Sequence, residues 1–223
     1  MNPIKPTIKT ELVSLILLAI ACSASFYFYN NFPEQVPVHW NFKGVADNYA
    51  TKFTGAFLFP IIIIFMYLMF LFVPFIDPKK DRYQEFGKIY HILKTVLIAF
   101  MVSIYFISSL IGLGYDIAIG LWTPVLVGLL FILIGKYLSK IKPNWFMGIR
   151  TPWTLSSEEN WIKTHIFGGK VFMIGGLIMI LIPFVPTEYQ AWLLGLTIFI
   201  LVFGTTGYSL MLYLKNKENG NNK

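Results

Sequence analysis

The side chains able to do acid–base, ionic or hydrogen-bonding chemistry gather in two stretches of an otherwise apolar sequence. The first is PEQVPVHWNFKGVADNYATK, residues 33–52, where His39, Asn41, Asp47 and Asn48 sit beside Trp40 and Gly44. The second is PNWFMGIRTPWTLSSEEN, residues 143–160, continuing as WIKTHIFGGK; it carries Asn144, Trp145, Gly148, Arg150, Thr151, Trp153, Glu158, Trp161 and His165. Neither stretch holds a serine–histidine–carboxylate set, a pair of carboxylates or a metal-ligand spacing, so neither an enzyme, a metal site nor a cofactor is expected. Cys22 is the sole cysteine, which excludes an internal disulfide framework and a cysteine-built metal site. The chemistry left is recognition, by hydrogen bonds, aromatic faces and one guanidinium.

That guanidinium stands out by scarcity. The 18 basic residues include only two arginines, Arg82 and Arg150, the rest being lysine. A chain content with lysine for generic charge uses arginine where a planar, multi-donor fork matters. Thr151 precedes a proline, so Gly148–Trp153 reads as a turn into an extended segment. Ser156-x-x-Glu159 has capping-box spacing and predicts a helix from about Ser157. On it Glu158, Trp161 and His165 share a face, and Glu159 with Lys163 forms an i,i+4 pair. We expect Arg150 to pair with a carboxylate, Glu158 being nearest, beneath Trp145, Trp153 and Trp161, with the tryptophans themselves anchoring an amphipathic helix at the inner interface. We also expect the helix to lie along the membrane surface until Gly168-Gly169 turns it into the next span. Gly175-Gly176 repeats that pair seven residues on, a smooth stripe for close helix contact.

The elements that position these loops are membrane spans. The 223 residues are 56% hydrophobic and 13% charged, with a mean hydropathy of +0.64, whereas a soluble domain carries about a quarter charged residues. Runs of roughly 20 apolar residues suit a bilayer, and six are expected, at about 12–29, 53–76, 95–113, 117–138, 167–185 and 189–214. Short turns at Gly114–Asp116 and Pro186–Glu188 make the third with fourth and fifth with sixth helical hairpins. Ala19-x-Ala21 has the look of a signal cleavage site, but the apolar run continues through Tyr29, and an uncleaved first helix is expected. The fold class is thus an all-α polytopic membrane protein, with an N-terminal region (residues 1–94) and a second region (95–223).

Six spans place sixteen of the 18 basic residues on one side, leaving Lys43 and Lys52 on the other. By the positive-inside rule both termini and the Arg150 loop are cytoplasmic and the His39 loop is outside. In that outer loop Val36, Val38 and Trp40 alternate with polar residues and proline, and Gly44 and Asp47-Asn48 are turn residues, so a hairpin-like cap is expected. A short echo, Pro37-x-x-Trp40-x-x-x-Gly44 outside and Pro143-x-Trp145-x-x-Gly148 inside, hints at inverted repeats of three spans, an arrangement used by transporters.

The outer VHWNFKGVADNYATK resembles a short domain found at the start of many bacterial membrane proteins, with a histidine, a tryptophan and N-x-x-G-x-x-D. The inner NWFMGIRTPWTLSSEENWIKTH is similar to the signature of the SdpI family, matching at Gly148, Arg150, Thr151, Trp153, Leu155, Glu158, Trp161, Thr164 and His165. The resemblance implies a multi-span plasma-membrane protein that protects a bacterium from a secreted peptide toxin. It further implies partners on both faces. The toxin would meet His39, Trp40, Asn41, Gly44 and Asp47, and a cytoplasmic transcriptional repressor would meet the inner loop, with no direct nucleic-acid contact. A small transporter of a peptide or lipid is the competing expectation.

Overall fold

The computed structural model describes residues 4–218 and 220; Lys223, one of the basic residues assigned above to the inner side, lies outside them. Helix α1 (Ile8–Asn31) leads into a hairpin of β1 (Gln35–Trp40) and β2 (Ala46–Thr51), followed by α2 (Lys52–Ile76), α3 (Tyr83–Gly112) and α4 (Ile119–Leu138). A five-residue helix α5 (Pro152–Ser156) precedes α6 (Glu158–Leu181), then α7 (Thr187–Phe199) and α8 (Thr205–Glu218). A π-helical turn, Ile200–Gly204, joins the last two into one rod. Six of the resulting helical rods are long and apolar enough to cross a membrane. The protein is an all-α polytopic membrane protein with one small hairpin.

The chain divides into two compact units. One comprises residues 6–72 and 94–127. Its core packs Ala21 and Phe28 of α1, Ala56 and Ile63 of α2 and Ile98 and Tyr105 of α3. Tyr105 Oη donates to the Ala56 carbonyl at 2.8 Å, so the phenol is satisfied inside the apolar layer. The hairpin is seated on α2 at Gly55, where any Cβ would strike Val36. Its tip, Gly44, has φ +73° and approaches the backbone of Gly120 at the start of α4, a conformation and closeness that favour glycine.

The same unit buries charge. Lys94 is 0% and Glu11 6% exposed, and Lys94 Nζ donates to Glu11 Oε2 at 2.5 Å. Tyr67 Oη donates to the same oxygen at 2.9 Å. These contacts join α1, α2 and α3 and explain why α3 begins far upstream of the expected Thr95. A paired lysine is carried inside a helix rather than stopping it.

Among the described residues the other unit holds 4–5, 73–93 and those from 128 onward. Its seam is glycine on glycine. A Cβ on Gly128 would stand 2.5 Å from the Gly176 carbonyl oxygen, and one on Gly176 equally close to that of Gly128. Gly135 and Gly169 repeat the relation at 2.6 and 2.8 Å. The expected single glycine stripe is therefore two faces. Gly169 and Gly176 meet α4, whereas Gly168 faces Ile149 and Gly175 faces Thr197 and Leu201. Nor does Gly168-Gly169 turn the chain: α6 is one continuous helix from Glu158 to Leu181, so the helix that begins after Ser157 and the fifth span are one element. The pair sustains close contact instead, and nothing there interrupts the helical hydrogen-bond ladder.

Candidate functional site

Outer candidate residues occupy the hairpin. Asn41 Oδ1 accepts from the backbone N–H groups of Lys43 and Val45, at 2.9 and 3.2 Å, and shapes the turn that Gly44 completes. The register pairs His39 with Asn48 and Trp40 with Ala46, leaving Asp47 as the extra residue of a bulge. The bulge lets Asp47 Oδ1 accept from His39 Nδ1 at 2.5 Å, in a pair whose side chains are both exposed. Trp40 is half-buried. Asn41 and Gly44 thus build the hairpin, and His39 with Asp47 are displayed by it. Two further side chains join the display: Phe42, 67% exposed, and Val45, 58% exposed. The sequence signal for them was present, since an apolar residue within a turn has no core to enter.

The inner candidate residues divide likewise into builders and displayed groups. Asn144 is fully buried; its Oδ1 accepts from Phe146 N and Met147 N, and its Nδ2 donates to the carbonyls of Lys142 and Met147. Gly148 then turns the chain at φ +106°, with its Cα so close that a Cβ would collide with His165 Nε2. Ile149 N–H donates to that Nε2 at 3.0 Å. Nδ1 must therefore carry the proton, which it donates to the Trp161 carbonyl at 2.8 Å. The two rings stack at 4.1 Å, and Trp161 Nε1 donates to the Ile141 carbonyl at 2.8 Å. Gly148, Trp161 and His165 form one buried joint between loop and helix.

Thr151 caps α5 and reaches Ser209 of α8, the hydroxyls 3.0 Å apart. Asn160 Nδ2 donates to the Ser209 carbonyl at 2.9 Å, and Thr164 donates to Asn160 Oδ1 at 3.0 Å. Trp153 leans on Tyr213. The motif's polar residues thus tie the loop, α6 and α8 together, with every buried side-chain nitrogen and oxygen satisfied among the described residues.

Arg150 departs from expectation. Its Nη1 donates to the Trp145 carbonyl at 2.5 Å, and Glu158 pairs instead with Arg82. Arg82 also meets Glu85 at 3.3 Å. Nor do three tryptophans form a lid, because Trp161 is buried and Trp145 is 47% exposed. Extended backbone at Thr151 aims the guanidinium at its own loop, while Ser157, as N-cap of α6, places Glu158 within reach of the Lys80–Arg82 turn. The scarcity argument applied to both arginines, and Arg82 was the one with a carboxylate partner. The expected Glu159–Lys163 pair is present at 2.5 Å.

Asp77 was missed entirely. It is 2% exposed and accepts three hydrogen bonds: Lys79 N at 2.7 Å, Tyr83 Oη at 2.8 Å and Trp145 N at 2.9 Å. Its sequence cue was the Asp-Pro step, an Asx-type turn opener. With Asp77 holding Trp145 N and Arg150 holding Trp145 O, the exposed Trp145 and Phe146 are presented on a fixed support.

Residues 140–210 match the SdpI/YfhL protein family, and residues 16–64 match a domain of unknown function, DUF1648. The chain is 26% identical over 181 residues to the immunity protein SdpI of Bacillus subtilis (strain 168), covering 81% of this chain and 84% of that protein. The resemblance read from the inner motif is thereby borne out. No solved structure matches.

Proposed function

We propose that the protein is a bacterial plasma-membrane immunity protein that protects its host against a secreted peptide toxin. Similarity to a protein named for immunity along 81% of the chain carries this reading. The hairpin supports it physically, since His39 and Asp47 offer directional hydrogen bonds beside exposed Phe42, Val45 and Tyr49, the mixture by which an amphipathic peptide is held. The distribution of lysine and arginine supports an outer hairpin and cytoplasmic termini. On the cytoplasmic face Trp145, Phe146 and Arg150 form the surface for a protein partner, a transcriptional repressor being the class that the family resemblance implies. Toxin challenge tests the reading. Cells expressing the protein survive a dose that kills cells lacking it, and Phe42→Ser with His39→Ala lowers survival at equal membrane abundance; equal killing of both strains rejects it.

One observation favours transport of a peptide or lipid instead: the buried Glu11–Lys94–Tyr67 cluster, because ionisable groups inside spans commonly mark pathways. Inverted vesicles separate the two readings. Transport moves labelled toxin across the bilayer, whereas protection by binding leaves it on the side where it was added.

A further inference from the structure

We infer that a cleft in the unit built from residues 73–93 and 128–218 holds the headgroup of a zwitterionic phospholipid of the phosphatidylethanolamine class. This goes beyond the immunity reading and does not depend on it. The cleft has a volume of about 400 Å³, within the roughly 300–1,000 Å³ range of ligand sites. One wall is the turn carrying Lys79, Asp81 and Arg82; the other is Thr154, Ser156 and Glu158.

Charge selects the ligand. Arg82 and Glu158 satisfy each other across the cleft. Lys79 and Asp81 do not: among the described residues neither side chain makes an ion pair or hydrogen bond, and only their backbone groups are engaged. The cleft thus offers one free cation and one free anion two residues apart on a single turn. A headgroup bearing both phosphate and ammonium meets both, the phosphate at Lys79 and the ammonium at Asp81. A purely anionic headgroup would meet Asp81 and Glu158 as like charges.

Position selects a lipid over a free solute. Ile76 ends one candidate span, Lys80 opens the next and Glu158 opens another, so the lining sits at the depth where helices leave hydrocarbon for headgroups. Ile162 and Ile166 follow Glu158 at four-residue steps on its own face of α6 and are 44% and 47% exposed. They form an apolar track for acyl chains directly below the polar opening. Lipid therefore meets matching chemistry along both halves of its length.

The experiment uses the full chain, purified in detergent and stripped of lipid, titrated by calorimetry and native mass spectrometry. Dioctanoyl-phosphatidylethanolamine, dioctanoyl-phosphatidylglycerol and soluble glycerophosphoethanolamine are the probes. Phosphatidylethanolamine should bind about ten-fold tighter than either, the soluble headgroup lacking the acyl track and the glycerol lipid lacking the ammonium. Lys79→Gln and Asp81→Asn, which break no bond within the fold, should each weaken it about three- to ten-fold. Equal affinity for the two lipids, or undiminished binding by both variants, overturns the proposal. Glycerophosphoethanolamine binding as tightly as the lipid overturns the lipid assignment in favour of a free zwitterion. The lipid comparison on the unsubstituted chain decides the matter even if a variant folds poorly.

Discussion

Among the described residues Arg150 makes one hydrogen bond, to the Trp145 carbonyl, and a lysine ammonium can make the same bond. A need for arginine at this position must then come from a partner. Arg150→Lys is expected to leave membrane abundance unchanged while reducing recruitment of a cytoplasmic partner, measured by co-purification; recruitment equal to the unsubstituted protein would show that charge alone suffices. Gly148 gives the opposite kind of test. Gly148→Ala forces a left-handed φ on a residue with a Cβ and drives that Cβ into His165. Gly114→Ala faces comparable strain at φ +92° with open space around it. The backbone strain costs about 1–3 kcal/mol in either case, so the extra loss of thermal stability in Gly148→Ala measures the joint with His165. At this scale the sequence named most of the inner residues, because the motif's spacing is fixed. It did not reveal that Gly148, Thr151, Trp161 and His165 face inward, since a buried tryptophan with a backbone acceptor and an interfacial one read alike.

Among the elements, the α4–α6 seam permits no side chain where the glycines meet. Gly176→Ala places a methyl 2.5 Å from the Gly128 carbonyl oxygen, whereas Gly175→Ala meets its nearest neighbour at 3.4 Å. The first should sharply lower membrane accumulation and the melting temperature. The second should be near neutral, helped by the ~1 kcal/mol helix preference of alanine over glycine. The buried pair in the other unit calls for a double-mutant cycle. Glu11→Gln or Lys94→Met alone leaves an uncompensated buried charge and should cost about 3–5 kcal/mol, with the double substitution recovering much of the loss. These elements also explain which boundaries were legible. Unbroken Ile, Leu and Phe runs placed α1, α2 and α4 within a few residues. The start of α3 was hidden because Lys94 is neutralised by a partner 83 positions earlier. The start of the fifth span was hidden because Gly168-Gly169 has the composition of a turn and the role of a packing surface. Long-range partners decided both.

For the whole molecule, orientation is the property on which the proposed function rests. With Cys22 replaced, cysteine at Asn48 is expected to react with an impermeant thiol reagent on intact cells, and cysteine at Lys80 only after the membrane is opened. Both positions are exposed, and neither caps a helix, unlike Ser157. The reverse labelling pattern would place the hairpin inside and remove it as a meeting point for a secreted peptide. Asn48 lies in the hairpin and Lys80 beside Arg82, the partner of Glu158 in the inner motif, so one label reports on each surface.

Asp77 carries a consequence for the making of the protein. Its acceptor oxygen waits for the N–H of Trp145, a residue 68 positions later in the chain. At about 5–20 residues per second of synthesis, roughly 3–14 s pass between the two. During that interval the carboxylate has only Tyr83 and its own turn to bind, and water must fill the third place. Until the inner motif is made, this turn therefore keeps one acceptor place open to water, and a chain that ends before Trp145 leaves Asp77 without its third donor.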